Sequence, residues 1–151
     1  MVNSDVRTYG YRMNDPLQDL PGYLLRRASA ASLADLNRRL EPTGLRHTDA
    51  ALLVLIDANP GITQSLLGKA LDIQRANMAP MIARLDTKGF VSREPVDGRS
   101  EGLYLTWDGQ ATLAKARAAM DAHEASLLKG IAPEMRPLIG PLLKSLWSRQ
   151  H

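Results

Sequence analysis

The chain has 151 residues, 44% of them hydrophobic, and a formal net charge of +3, which suits one folded domain or one domain with a dimerisation extension. It contains no cysteine, which excludes disulfides, thiolate metal sites and cysteine-based redox sensing. No apolar run approaches the roughly 20 residues that cross a bilayer, and the first residues lack the basic and apolar regions of a signal peptide, so we expect a cytoplasmic protein.

The N-terminal part of the chain is predicted to be an arm followed by a long helix. Residues 1–16 show little periodicity and are expected to be flexible. From Leu17 to Leu40, apolar residues recur at helical spacing and predict an amphipathic helix, interrupted early by Pro21-Gly22. Such an apolar face favours burial against another element.

A second helix is predicted after a short stop. Glu41-Pro42-Thr43-Gly44 should end the first helix, and Thr48 should cap the next one. Asn59-Pro60-Gly61 follows Ala58 and should end that second helix.

The middle of the chain predicts two short helices joined by a tight turn. Thr63 is placed to cap the first, and Asp72-Ile73-Gln74 is too short for anything but a turn. Lys88-Gly89 should end the second helix with a cation and a left-handed cap. The first helix is expected to bury Leu66, Leu67, Ala70 and Leu71; the second is expected to bury Met78, Ile82 and Leu85 and to expose Arg75, Asn77 and Arg84.

A β-hairpin is predicted next. Phe90–Glu94 alternates as a strand, Pro95–Gly102 supplies turn residues including an Asp-Gly step, and Leu103–Thr106 is the return strand. Arg99 lies near the predicted tip, where it could reach a phosphate or a minor groove. Two short helices followed by a charged hairpin indicate a winged helix-turn-helix, a fold that binds double-stranded DNA.

Two more helices are predicted at the C-terminal end. An alanine-rich helix should follow Gly109 and run to about Lys129. Apolar residues from Met135 to Trp147 then keep helical spacing and require a partner. Pro137 and Pro141 lie within this stripe, and an internal proline costs a helix roughly 3 kcal/mol, so a kink is expected.

In its middle third the sequence resembles the multiple antibiotic resistance regulator (MarR) family of bacterial transcription factors. The matching motifs, in chain order, are Gly44-Leu45, Pro60-Gly61-Ile62-Thr63-Gln64, the run from Arg84 to Arg93, Asp97-x-Arg99, Leu105-Thr106 and Gly109. The flanking helices extend the resemblance over most of the chain.

This resemblance implies a mainly α fold with a small β-hairpin wing, acting as a homodimeric regulator of transcription. Such proteins bind pseudo-palindromic operators in double-stranded DNA, and a small aromatic or phenolic effector often releases them. The implied organisation is an arm at 1–16, a dimerisation helix at 17–47, the DNA-binding winged helix-turn-helix at 48–109 and C-terminal dimerisation helices at 110–151. We expect a repressor.

The candidate DNA contacts fall at the starts of both short helices, further along the second helix and in the wing. Arginine and asparagine side chains suit guanine and adenine edges in the major groove, and polar residues at a helix N-terminus suit phosphate. Asp97 is expected to brace Arg99 or the hairpin rather than touch DNA. The predicted contacts are Thr63, Gln64, Ser65, Gln74, Arg75, Asn77, Pro80, Arg84, Arg93, Arg99 and Ser100.

The charge balance of this segment leaves an alternative open. Between Asp72 and Gly102, five bases (Arg75, Arg84, Lys88, Arg93, Arg99) face five acids (Asp72, Asp86, Glu94, Asp97, Glu101). DNA binding must therefore depend on where the bases point. A winged-helix module that binds a protein and not DNA is the alternative reading.

The resemblance also implies an effector site, expected where the first long helix, the helix capped at Thr48 and the helix after Gly109 meet. Its candidate ligands of a carboxylate or phenol are Tyr23, Arg27 and His47. The histidines, His47, His123 and His151, lack the spacing of metal ligands and are expected at the surface or in helix caps. The chain contains no nucleophile elbow, phosphate loop or paired histidines. We therefore expect no enzyme, no metal and no cofactor.

Overall fold

The computed structural model describes residues 14–98 and 100–147. Most of the predicted N-terminal arm, together with Arg99 and His151, lies outside the described residues. The chain divides into two compact units, one up to Ala34 and one from Asp35 onward. The elements are α1 (Pro21–Leu40), α2 (His47–Ala58), β1 (Ile62–Thr63), α3 (Gln64–Leu71), α4 (Arg75–Thr87), β2 (Val91–Asp97), β3 (Ser100–Leu105), α5 (Trp107–Lys129) and α6 (Arg136–Trp147).

The first long helix begins later than predicted. Pro16–Asp19 forms a separate 3-10 turn, in which the Asp15 carboxylate accepts the N–H of Leu17 at 3.1 Å. Pro21 starts α1 and does not interrupt it. The first turn of a helix leaves its N–H groups unpaired, so a proline is tolerated there.

The cap predicted at Thr48 is wrong. The N-cap of α2 is Arg46, two residues earlier, and the helix starts at His47. The Asp49 carboxylate accepts the N–H of Arg46 at 3.0 Å. A carboxylate in the third helical position can reach back to the N-cap N–H, so Asp49 supplies the cap that was assigned to Thr48.

Helices α3 and α4 form the predicted helix-turn-helix. The Thr63 hydroxyl accepts the N–H of Leu66 at 3.4 Å, as predicted, and Asp72 closes α3 in the left-handed conformation at φ 52°. The expected burial of Leu66 and Ala70 is wrong, since both are exposed while Leu67 and Gly68 are buried. A Cβ at Gly68 would lie 3.0 Å from the Ile73 carbonyl oxygen, so the turn packs closely on this glycine.

The wing is a longer hairpin than the sequence predicted. The three strands form an antiparallel sheet in the order β1-β3-β2, and β1 was not predicted. The loop expected over Pro95–Gly102 is wrong, because Glu94 pairs with Gly102, Pro95 with Glu101 and Asp97 with Ser100. A proline is compatible with β2 because β2 is an edge strand.

The core of the second unit is formed by α2, α3, α4, the sheet and α5. Its fully buried side chains include the predicted Met78, Ile82 and Leu85 of α4. Helix α5 is capped by Thr106, whose hydroxyl donates to the Gly89 carbonyl at 2.6 Å and accepts the Gly109 N–H at 3.0 Å. A Cβ at Gly109 would lie 2.9 Å from the Phe90 carbonyl carbon and nearer still to its oxygen. Only glycine lets α5 approach the start of the wing this closely.

Helix α6 has no buried residue. It runs through Pro141 as one element, with Met135, Leu138, Leu142, Leu143, Leu146 and Trp147 exposed on it or just before it. The kink expected at the prolines stays a prediction. Within the described ranges, no helix is long and apolar enough to cross a membrane.

Candidate nucleic-acid interface

A concave groove of about 840 Å³ lies between the starts of α3 and α4 and the inner side of the wing. Sequence periodicity does not show that these three elements meet, because it describes each element separately and not their packing. The predicted contacts that line the groove are Thr63, Gln64, Ser65, Gln74, Arg75, Arg93 and Ser100.

The start of α3 faces this groove with polar residues. The hydroxyl of Thr63 is occupied by its cap to Leu66, whereas Gln64 is partly exposed and Ser65 is exposed. The first turn of a helix carries unpaired N–H groups and a partial positive charge. A phosphate is the ligand that suits this combination.

The start of α4 is also open. Gln74 is its N-cap residue but makes no side-chain cap; its carbonyl accepts the N–H groups of Asn77 at 2.9 Å and Met78 at 3.1 Å. Arg75 is exposed, and it takes part in none of the ion pairs found among the described residues. Its guanidinium is therefore available to a base edge or a phosphate.

The predicted base-reading residues do not share one face. Asn77 and Pro80 are exposed but do not line the groove. Two positions along a helix correspond to about 200° of rotation, so Asn77 and Arg75 project on opposite flanks of α4. A duplex reached by both would have to lie across the start of the helix.

Arg84 does not face outward as predicted. It is partly buried, and its guanidinium donates to the Asp49 carboxylate of α2. Asp49 itself is only 1% exposed. Arg84 therefore does not line the groove.

Arg93 of the wing lies between two carboxylates, one on α4 and one on β3. Arg93 lies 3.4 Å from the Asp86 carboxylate and 3.3 Å from that of Glu101. The Asp97 carboxylate accepts the Ser100 N–H at 2.7 Å, so it braces the hairpin as predicted. The wing residue favoured most by sequence, Arg99, lies outside the described residues.

Lys69 is a candidate contact that sequence reasoning missed. It is exposed on α3 and lines the groove beside Arg75. Lys69 precedes the segment from Asp72 to Gly102 in which the charges balance, and the helical spacing of the first short helix already indicates that it is exposed. With Lys69 included, the groove carries Lys69, Arg75 and Arg93 against Asp72, Asp97 and Glu101.

The candidate effector residues lie in different units. In the first unit, the Arg27 guanidinium donates to the Tyr23 hydroxyl at 3.3 Å, and this contact raises the pKa of Arg27. The Arg26 guanidinium lies 5.1 Å from the centre of the same ring. In the second unit, the His47 backbone N–H donates to the Asn37 side-chain oxygen at 3.0 Å.

His123 is not the surface histidine that was expected. It is 4% exposed on α5, and its Nδ1 lies 2.9 Å from the Asp35 carboxylate. Hydrogen bonds from Arg39 and His123 lower the pKa of Asp35 to about 2. In the described part of the chain, no cluster of three or more His, Cys, Asp or Glu could hold a metal ion.

Known proteins with similar sequences and structures are regulators of transcription. The sequence model of the MarR family matches residues 45–100. A putative transcriptional regulatory protein for the hcr operon of Thauera aromatica is 29% identical over 83% of this chain and 78% of its own length. The transcriptional repressor CouR, solved bound to a 23-mer DNA duplex, is 31% identical with a TM-score of 0.84 over 90% of this chain and 99% of that one. CouR solved with p-coumaroyl-CoA is 30% identical with a TM-score of 0.79 over 86% of this chain and 93% of that one.

Proposed function

This chain belongs to the MarR family of DNA-binding transcriptional regulators, and on that premise we propose that it is a ligand-responsive repressor. It acts as a homodimer on a pseudo-palindromic operator in double-stranded DNA. Helix α4 enters the major groove, the start of α3 contacts phosphate and the wing lies alongside. Because its target is the bacterial chromosome, we place it in the cytoplasm.

The groove between α3, α4 and the wing is the observation that carries this proposal. It brings together the polar start of α3, the unpaired guanidinium of Arg75 and the paired Arg93. A winged helix-turn-helix places its second helix in the major groove and contacts the backbone on either side. The alternative, a winged-helix module that binds a protein, has only the balanced charge of the groove in its favour.

The homodimer is supported by exposed apolar side chains in both units. In the first unit, Leu17, Leu20, Leu24, Leu25 and Leu33 are each at least 39% exposed. In the second, α6 exposes Leu138 at 57% and Leu142 at 61%. Contiguous apolar faces of this kind mark interaction surfaces, and a second copy is the commonest partner of such a chain.

Light scattering tests the dimer. We expect about twice the monomer mass of 16.6 kDa at micromolar concentration. Leu142→Asp should give monomers or aggregates, since it places an unpaired charge in the interface. Lys144→Asp, at another exposed position of the same helix, is the matched control. A wild-type mass near that of one chain contradicts the dimer.

The effector is proposed to be a small aromatic or phenolic compound, free or carried as a thioester. The support is that CouR has been solved with p-coumaroyl-CoA. Tyr23, Arg27 and His47 remain the proposed ligands. Release from operator DNA by p-coumaroyl-CoA, p-coumarate and a saturated acyl-CoA of similar size would show whether the aromatic group is recognised; equal effects of all three contradict an aromatic effector.

Footprinting on the region upstream of the gene for this chain tests the DNA-binding proposal. A dimer with two reading helices on one face of a duplex should protect half-sites about 10 base pairs apart. Affinity should fall steeply with salt because phosphate contacts release counterions. If a folded dimer leaves the region unprotected at low salt and binds no sequence selected from random DNA, the protein-binding alternative is favoured.

A further inference from the structure

We propose that the buried Asp49 and the partly buried Arg84 form an ion pair that orients the reading helix α4, so that neither is a DNA ligand and both determine operator preference. This inference rests on the proposed function, because it concerns how α4 is held for reading. Arg84 was a candidate DNA contact from sequence, and the pair assigns it a different role: it positions Arg75 and the other exposed residues at the start of α4.

Both carboxylate oxygens of Asp49 accept hydrogen bonds from within the protein. Its carboxylate is 1% exposed; one oxygen accepts the Arg46 N–H at 3.0 Å and the other accepts the Arg84 guanidinium. A buried carboxylate is unfavourable unless it is paired and hydrogen-bonded. The place of Asp49 on α2 therefore determines where the charged end of Arg84 must lie.

Among the described residues, the guanidinium of Arg84 has one donor without an acceptor while another donates to Asp49. Its Nε is buried and has no hydrogen-bond partner in the described part of the protein. A buried N–H without an acceptor is unfavourable, and buried polar groups left in this state call for a specific reason. Pairing with Asp49, 35 residues away in sequence, is that reason.

A second contact joins the C-terminal end of α4 to the residues just before α2. The Lys88 ammonium, just after α4, donates to the Gly44 carbonyl at 2.6 Å. Met78 and Ile82, which lie on either side of Pro80, are both fully buried and seat the helix on the core. Apolar burial is non-directional and by itself opposes small rotations of α4 only weakly. The directional contacts of Arg84 and Lys88 restrict these rotations.

A small change at the anchored end moves the reading end. Arg75 lies nine residues before Arg84, about 13 Å along the helix axis. A tilt of a few degrees therefore shifts Arg75 by the better part of an ångström, enough to misalign a bidentate contact to a base. Contacts to phosphate tolerate such shifts better, because they depend on charge more than on alignment.

Direct contact and positioning predict opposite signs for one substitution. If Arg84 binds DNA, Asp49→Asn removes a competing negative charge and should strengthen binding. If the pair positions α4, Asp49→Asn should weaken operator binding even though it makes the protein more positive. Asparagine is also nearly isosteric with aspartate and can still accept the Arg46 N–H.

The test uses the full-length dimer with its footprinted operator and a scrambled duplex, well below the thermal midpoint. We expect Asp49→Asn and Arg84→Met each to weaken operator binding about tenfold, with binding to the scrambled duplex within about twofold of wild type. The double variant should be no worse than either single one. Arg84→Lys keeps one charged donor and should recover part of the loss.

Arg117→Met is the matched control. Arg117 pairs with Asp57, also on α2, at 2.9 Å, and none of the ion pairs found among the described residues joins it to α4. Its loss should leave the ratio of operator to scrambled affinity unchanged. If Asp49→Asn does not fold, hydrogen exchange of DNA-free Arg84→Met decides the same question, because loss of a mere DNA contact would leave exchange in α4 unchanged.

Hydrogen exchange in the DNA-free protein separates this inference from the proposed function. Asp49→Asn and Arg84→Met should accelerate exchange in α4 relative to Arg117→Met. Wild-type protein that binds no duplex would contradict the proposed function, and the exchange data would still decide how α4 is held. Tighter or unchanged operator binding by Asp49→Asn, equal losses on both duplexes, or unaltered exchange would overturn the role of the pair.

Discussion

Replacing Arg75 tests the reading end of α4 most selectively. Arg75 is exposed at the first position of the helix and forms none of the ion pairs seen within the described ranges. Arg75→Ala should therefore leave the free energy of unfolding unchanged, and its whole cost should fall on binding. A good bidentate contact to a base contributes about 1–3 kcal/mol of discrimination, which corresponds to roughly a 5- to 150-fold loss on the operator.

The assay compares operator and scrambled duplexes by binding isotherms at several salt concentrations. Arg75→Lys is the informative second variant, because it keeps the charge and loses the planar fork that reads guanine. It should bind the scrambled duplex like wild type and lose most of the operator preference. Arg117→Ala, which removes an exposed arginine outside the groove, is the control. Equal losses on both duplexes for Arg75→Ala would refute base reading and leave only a phosphate contact.

Four further outcomes follow from the same account. Asn77→Ala should cost on the order of 1–3 kcal/mol on the operator and little on random DNA, and a uniform loss would contradict base contact. Arg99→Ala should weaken binding to all sequences and reduce the salt slope by about one unit; an unchanged slope argues against a phosphate contact. Gly109→Ala should lower the thermal midpoint, because overpacking against the Phe90 carbonyl, about 1–3 kcal/mol, outweighs alanine's helix preference of up to about 1 kcal/mol; an unchanged or higher midpoint would mean that the backbone gives way. Since the pKa of Asp35 is lowered from 3.8 to about 2, its carboxylate stabilises the fold above pH 3.8, so the destabilisation caused by Asp35→Asn should shrink as pH falls toward 2; a pH-independent difference in acid unfolding followed by circular dichroism would contradict this.

Local patterns predicted most of the helices correctly. The apolar spacing of α4 located Met78, Ile82 and Leu85, and all three are fully buried. The Thr63 cap was confirmed, because the signal for it lies within a few neighbouring residues. The cap at Thr48 failed for a reason that is also local, since Asp49 accepts the Arg46 N–H and the helix therefore begins before Thr48.

Contacts between distant residues could not be predicted in the same way. The pairs Arg84–Asp49 and His123–Asp35 join residues 35 and 88 positions apart. Helical spacing places Arg84 on the outer side of α4, and only the position of α2 shows that a buried carboxylate draws it inward. The hairpin register was likewise missed, because a Pro and two Gly signal a loop unless the edge position of β2 is known.

Hydrogen exchange of the wild-type dimer with and without operator DNA tests the central claim most directly, because it reports which surface the duplex covers. We predict slower exchange at the start of α3, at the start of α4 and in the wing, with no change in α6. A scrambled duplex at the same salt should protect these segments less. Protection confined to α6, or none in α3, α4 and the wing at saturating operator, would contradict the claim that the groove is the DNA-binding surface.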